Sequence, residues 1–223
     1  MGNLAWSQTA ASWKLGDSEV KPSWTSGEDK DLSQWKTVDC YGEFGERFAL
    51  TALIGYKEPP LNLDSFIARL RATCTDLDGT TTRTEQVFTS KGHRDTPYEL
   101  DSRNWQGYKE FVCSGDYTDG PMHVTGLIGE MEVGTNPGND YVQNFRFYLR
   151  CARVWSEDHV TWQTVGHSNQ MINDSNYAMF ERRSLSCPGQ DYVVTGIQLR
   201  FEVGKGKIRD LRLLCRKLIY VPG

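Results

Sequence analysis

Three cysteine-bounded segments of one design constrain this chain more than any other feature. The last of them, Cys187 to Cys215, runs Cys-Pro-Gly-Gln-Asp-Tyr-Val-Val-Thr-Gly-Ile-Gln-Leu-Arg-Phe-Glu-Val, turns through Gly204 to Lys207, and returns as Ile-Arg-Asp-Leu-Arg-Leu-Leu-Cys. Ile197, Leu199, Phe201 and Val203 alternate with Gln198, Arg200 and Glu202, the period of two that sets one face of a strand in a core and the other in water. On the return run Leu211, Leu213 and Cys215 share one face, and Asp210, Arg212 and Arg216 belong to the other. Leu50-Thr-Ala-Leu-Ile-Gly55 and Val124-Thr-Gly-Leu-Ile-Gly129 match Val194-Thr-Gly-Ile-Gln-Leu199, and the leading cysteines Cys40, Cys113 and Cys187 recur every 73 or 74 residues. Such a period marks an internal repeat of three units.

Six cysteines allow many pairings, but the repeat selects the one that keeps each bridge in its own unit: Cys40 with Cys74, Cys113 with Cys151, Cys187 with Cys215. No pair has the C-x-x-C spacing of a zinc site or a redox dithiol. Each bridge is expected to remove roughly 3.5 to 4 kcal/mol of unfolded-chain freedom. The implied setting is oxidising, hence secreted, periplasmic or cell-surface; the alternative is three pairs of reduced core cysteines in a cytosolic protein. With 223 residues the chain can bury a full core. Twenty-one glycines and many Trp and Tyr residues, with little helical periodicity, point to an all-β fold. The net charge of −4, with both signs mixed along the chain, offers no basic patch for nucleic acid. No apolar run is long enough to insert in a membrane, and the first residues do not read as a signal peptide, so a soluble, mature or excised form is expected.

Residues 1–33 stand outside the repeat and carry Trp6, Trp13 and Trp24; they are expected to cover an edge, their strand completing the sheet begun by the last repeat. Residues 34–223 form the repeated body, with units at about 34–94, 96–166 and 167–220. In the first unit Phe48, Leu50, Ala52, Ile54 and Tyr56 alternate toward one face. Asp76-Leu-Asp-Gly79 resembles the opening of a calcium loop, but Val87 stands where that loop needs its glutamate, so a turn is expected. Trp35 and Tyr108 recur five residues ahead of Cys40 and Cys113 and read as structural.

Three units with one apolar face each hide those faces together by turning them toward a common axis, which makes a triangular prism. An aromatic ahead of a cysteine, C-x-G-x-Y/F, a strand with T-G-L/I, a turn with Gly and Asp or Asn, and an R-L-x-C return arm resemble the vitelline membrane outer layer protein I family over about residues 34–218. The resemblance implies a β-prism of three pseudo-threefold-related Greek-key antiparallel sheets, each with an internal disulfide. It also implies recognition of, or action on, oligosaccharides containing N-acetylglucosamine. The family's G-D-D-T-A-L-N-G segment is hinted at only by Gly138-Asn-Asp-Tyr-Val-Gln-Asn144 and Asn62-Leu-Asp64, and the third unit has Lys205-Gly-Lys207 instead.

Chemistry is sparser. His93, His123, His159 and His167 lie far apart and read as surface or turn residues, and no nucleophile elbow or phosphate loop is present. No catalytic residue, metal or cofactor is expected. Sugar binding needs rings to stack on pyranose faces and Asp, Asn or main-chain groups to bond hydroxyls. Trp105, Tyr117, Asp119, Asp140, Tyr141, Trp155 and Trp162 offer that mixture, mostly in the second unit. The expected function is a lectin-like recognition or adhesion module at the tip of a surface fibre, trimeric or otherwise homo-oligomeric. Its partners would be glycans or glycoconjugates of a cell surface or extracellular matrix. The alternatives are a ligand-free coat protein of an extracellular layer, or an enzyme acting on N-acetylglucosamine oligosaccharides. Asn173-Asp-Ser175 is a glycosylation sequon.

Overall fold

The structure is a computed structural model and describes residues 12–25, 31–57, 67–89, 108–113, 122–133, 147–154, 160–165, 179–201, 203 and 208–222. Its elements are β1 (Ser12–Val20), β2 (Ser23–Thr25), β3 (Lys36–Asp39), α1 (Cys40–Phe44), β4 (Phe48–Lys57), β5 (Ile67–Asp76), β6 (Thr82–Thr89), β7 (Tyr108–Val112), β8 (Met122–Val133), β9 (Phe147–Val154), β10 (Val160–Val165), β11 (Met179–Ser186), β12 (Tyr192–Phe201) and β13 (Ile208–Val221). They make three antiparallel sheets: β6-β5-β4-β7, then β10-β9-β8-β11, then β1-β13-β12-β3 with β2 also on β13. In the first two, three consecutive strands form a meander and a fourth returns beside the first, the Greek-key order. The third follows the same order with its outer strands drawn from the start of the chain, β1 and β2 lying on β13 and β3 on β12.

β4, β8 and β12 pack on one another about the pseudo-threefold axis. They carry Leu50 and Leu53, Val124 and Leu127, and Val194 and Ile197 into one core that also holds all six cysteines. The fold is therefore an all-β prism with three disulfides.

The recurring T-G/A-L/I motif is a β-bulge. Register shifts fall between Leu50 and Ala52, Val124 and Gly126, and Val194 and Gly196, leaving Thr51, Thr125 and Thr195 unpaired in the ladder. A bulge shifts side-chain parity by one, which is why residues three apart rather than two apart point into the core. Each threonine is buried and turns its hydroxyl onto the neighbouring strand: Thr51 donates to Thr73 O at 3.3 Å, Thr125 to Arg150 O at 3.2 Å, and Thr195 to Leu214 O at 3.2 Å. The acceptor is each time the residue before the second cysteine of the unit. On the other side the threonine carbonyl accepts from the incoming edge strand, Cys113 N–H to Thr51 O at 2.8 Å and Cys187 N–H to Thr125 O at 2.9 Å. Motif and cysteines are thus parts of one joint. Glycine follows the bulge in β12 because a Cβ at Gly196 would lie 2.2 Å from Val38 O.

The disulfides pair as the repeat implies, Cys40–Cys74, Cys113–Cys151 and Cys187–Cys215. Each lies within one sequence unit and yet spans two sheets, because the strand leading into the first cysteine is donated to the neighbouring sheet. Cys40 follows β3 of the third sheet and bonds to β5 of the first; Cys113 follows β7 of the first and bonds to β9 of the second; Cys187 follows β11 of the second and bonds to β13 of the third. Three bridges lock three corners in a closed cycle.

Several expectations from alternation are corrected. The bulge, not simple alternation, decides β4: Leu50 and Leu53 enter the core, and Ala52 is not on that face with Leu50. Val203 stands beyond the end of β12 and is 54 % exposed, unlike Ile197, Leu199 and Phe201. His123 is no surface histidine: it is fully buried in β8, at the position that is Ala49 in the first unit and Val193 in the third. Trp24, on β2 opposite Leu211, is in the main core, and Trp13 packs edge-on against Tyr220 with ring centroids 5.3 Å apart. The expected turn at Asp76 to Gly79 is present: the Asp76 carboxylate accepts from Thr80 N–H and Thr80 Oγ1, both at 2.7 Å, and from Thr81 N–H at 3.1 Å, and Gly79 has φ +73°.

Candidate functional site

Of the residues expected to touch a sugar, Trp105, Tyr117, Asp119, Asp140, Tyr141 and Trp155 lie outside the described residues, and of Trp162 only the backbone is described. The strands that flank them are described, and these divide the set in two. Val112 and Cys113 precede the segment with Tyr117 and Asp119, which enters β8 at Met122; Met122 pairs with Arg153 near the end of β9. Val154 precedes the segment with Trp155, which enters β10 at Val160; Val154 and Val160 are paired, and Trp162 follows opposite Ala152. These anchors adjoin at the end of the second sheet where the cysteines lie. Asp140 and Tyr141 belong instead to the connection from Val133 to Phe147, at the far end of β8. Trp105 precedes Tyr108, which pairs with Tyr56 at the far end of β4. The twelve residues of β8 separate the two ends by roughly 35 Å, so the anchors do not converge on one small site.

At the cysteine end of the third sheet the described side chains form a polar cluster that alternation did not reveal. β1 shifts register between Leu15 and Glu19, and Arg216 of β13 fills the gap. Its guanidinium donates to Gly16 O at 3.2 Å, to Asp17 O, and to Glu19 Oε2 at 3.4 Å, and lies 3.7 Å from the Tyr41 ring centroid. Tyr41 donates to Asp17 Oδ1 at 2.9 Å, a bond to its protonated form that raises the phenol above its ordinary range. Asp39, at the start of α1, is raised by partial burial and by the Glu19 charge, while the Gly42 and Tyr41 amides and Arg216 oppose the shift. Tyr41 and Arg216 thus brace α1 against β1. Among the described residues no three His, Cys, Asp or Glu side chains gather as a metal site.

A second polar surface lies on the outward face of the third sheet. Ser23, Arg212, Gln198 and Thr37 align across β2, β13, β12 and β3 in one row. In the next row Asp210 and Arg200 are paired, with Arg200 Nε donating to Asp210 Oδ2 at 2.6 Å. Gln198 Nε2 donates to Thr37 Oγ1 at 3.0 Å. Trp35, just ahead of β3, brings its half-buried indole to this face, with the Arg212 guanidinium 4.0 Å and that of Arg200 4.6 Å from the ring centroid. Trp35, expected to be structural, meets these arginines because β3, which it precedes, joins the third sheet, where the outward parity of β12 and β13 supplies them.

These features define a disulfide-cornered β-prism with a polar cluster at one end and a polar outer face on its third sheet. No protein-family model matches the chain, and neither does any curated protein. Among solved structures the chain is similar to the Calystegia sepium agglutinin, at 12 % identity and TM-score 0.45 over 91 % of this chain and 97 % of that one. It is also similar to the Calsepa lectin in complex with a biantennary N-glycan, at 12 % identity and TM-score 0.46 with the same coverage. A third is a prostate-specific WGA16 glycoprotein lectin, at 9 % identity and TM-score 0.41 over 86 % of this chain and 96 % of that one.

Proposed function

We propose that the chain is a secreted or cell-surface, lectin-like carbohydrate-recognition module, related to the vitelline membrane outer layer protein I family, that binds glycans without cleaving them. The observation that carries this reading is the adjacency of Met122 with Arg153 and of Val154 with Val160. It ties the segments bearing Tyr117, Asp119 and Trp155 to one end of a sheet whose corners are fixed by Cys113–Cys151 and Cys187–Cys215. Rigid anchors reduce the ordering cost of binding, and an aromatic with a carboxylate is the minimal equipment for a pyranose. Three disulfides suit an oxidising compartment. Residues 12–25 are part of the same body as the repeats in this reading, and weak single-site affinity is raised by presenting several copies.

A glycan array with wild type, Trp155→Ala and Tyr117→Ala tests it. Binding to a defined neutral glycan that either variant abolishes, with an unchanged thermal midpoint, is the expected result. The coat-protein reading is favoured by one observation, the cyclic locking of all three corners, which rigidifies the body whether or not it holds a ligand. Silence across a broad array would choose that reading, and release of reducing ends from chito-oligosaccharides would choose the enzyme.

A further inference from the structure

We infer that the outward face of the third sheet is a second saccharide site, for glycans that carry carboxylate or sulfate groups. Of the two arginines beside Trp35, Arg200 is neutralised by Asp210, through Nε at 2.6 Å and a second contact from Nη2. Arg212 has no carboxylate partner among the described residues; what it has is the indole face of Trp35 at 4.0 Å. Stacking on a ring leaves the edge of a guanidinium, and therefore its N–H fork, available to a planar anion. Cation and indole are each half-buried: Arg212 is held within a row that crosses four strands, and Trp35 immediately precedes β3, the last strand of that row.

The neighbours extend this pairing into a saccharide-like pattern. Ser23, Gln198 and Thr37 stand in the same row as Arg212, offering hydroxyl and amide groups across four strands, a span of about 14 Å. That length suits a short acidic oligosaccharide lying across the strands. Its carboxylate or sulfate would meet Arg212, which has no carboxylate partner among the described residues, and its ring hydroxyls would meet the polar side chains alongside. An acidic peptide would satisfy the charge but not the row of hydroxyl-bonding groups. This face lies on a different sheet from the end segments of the second unit, so the two sites are separable.

The test is calorimetric titration of the whole chain with a galacturonate tetramer, a chondroitin sulfate tetrasaccharide, neutral chitotetraose and tetraglutamate, with and without added salt. Wild type should bind at least one acidic saccharide more tightly than tetraglutamate, and salt should weaken that binding. Arg212→Gln should lower the affinity about tenfold or more, because a charge-assisted pair is lost, and Arg212→Lys should recover only part of it. Trp35→Phe, with an unchanged thermal midpoint, should weaken the same ligands and leave chitotetraose untouched. Equal binding of tetraglutamate and the acidic saccharides, or an affinity indifferent to Arg212→Gln, would overturn the inference. Loss of neutral-glycan binding in Trp155→Ala alone bears only on the end segments, so the two readings fail by different arms.

Discussion

Replacing His123 by valine, the residue of the third unit at the same position, should remove a defined part of the protein's acid sensitivity while leaving its stability near neutrality almost unchanged. His123 is fully buried, its Nε2 is 3.3 Å from Asp76 O, and its Nδ1 has no hydrogen-bond partner. Burial is the main cause that lowers its pKa from 6.5 to about 4, with the Asp76 and Thr75 carbonyls and the Asp76 charge opposing. The folded value lies below the unfolded one, so between them the unfolded chain binds the proton more readily. The stability of the neutral buried form is therefore complete above pH 6.5 and is lost as pH falls toward 4. The shift corresponds to about 2 kcal/mol lost by pH 5 and about 3 kcal/mol well below pH 4. Valine forgoes one long hydrogen bond and also the unpaired nitrogen, so at pH 8 the two proteins should agree to within about 1 kcal/mol. Urea unfolding at pH 8 and pH 5, without reductant, measures both. Other groups titrate over the same range, Asp39 and the remaining carboxylates among them, but they are common to both proteins and cancel in the difference. Parallel stability profiles for wild type and His123→Val would refute the reasoning and mean that the buried imidazole is hydrated or charged in the folded state.

Four further expectations concern the joint at the bulge and the backbone near it. Gly196→Ala brings a methyl to 2.2 Å from Val38 O and 2.9 Å from Leu214 Cδ1, so it should detach β3 or unfold the third sheet, with a loss of about 3 kcal/mol or more in thermal or urea unfolding. Gly45→Ala, where no atom lies within 4 Å but φ is +104° and ψ −179°, should cost about 1 to 3 kcal/mol from backbone strain alone by the same measurement. Thr195→Val removes the donor to Leu214 O inside the core and should cost about 1 to 3 kcal/mol, whereas threonine to serine retains most of it. Replacing both Cys40 and Cys74 by alanine releases a loop of 34 residues and should lower stability by about 4 kcal/mol. Because that bridge crosses a corner, hydrogen exchange should rise in β3 of the third sheet as well as in β5 of the first.

How far the sequence exposes this fold depends on which physical rule each residue obeys. The three cysteine pairs and the repeated Thr-Gly-Leu/Ile run were legible because each copy answers the same local demand: a threonine that can hydrogen-bond from the bulge, then a small residue where the edge strand approaches. The position of His123 was not legible. Alternation places it opposite Val124, hence toward water, but the corner of the prism folds the end of β5 over that spot, and Asp76 covers it. Alternation likewise says which face of a strand is polar but not which sheet the strand joins. β3 precedes Cys40 in the first unit and yet pairs with β12 of the third, so Trp35 meets Arg200 and Arg212, residues more than 160 positions away.

The same exchange of strands links architecture to function. A repeat whose sheets were each closed within their own unit would behave as three weakly coupled blocks, every one with its own free edge. Here each unit gives its leading strand to its neighbour and is then tied back by a disulfide, so that displacing one corner strains two sheets and the bridges of the adjacent corners. The strands at which the end segments start and finish cannot move independently, which under the proposed function would favour recognition by fixed surfaces over recognition by closure. An outward face such as that of Trp35 and Arg212 gains the same rigidity, because its row crosses strands drawn from both ends of the chain. Reduction of the bridges should therefore weaken binding at both kinds of surface before the sheets themselves unfold. Titration of an acidic and a neutral glycan in the presence of graded reductant, followed alongside far-ultraviolet circular dichroism, would show affinity falling ahead of strand signal. Affinity that persisted until the strand signal collapsed would mean that the surfaces are shaped by their own sheets alone and owe nothing to the corners.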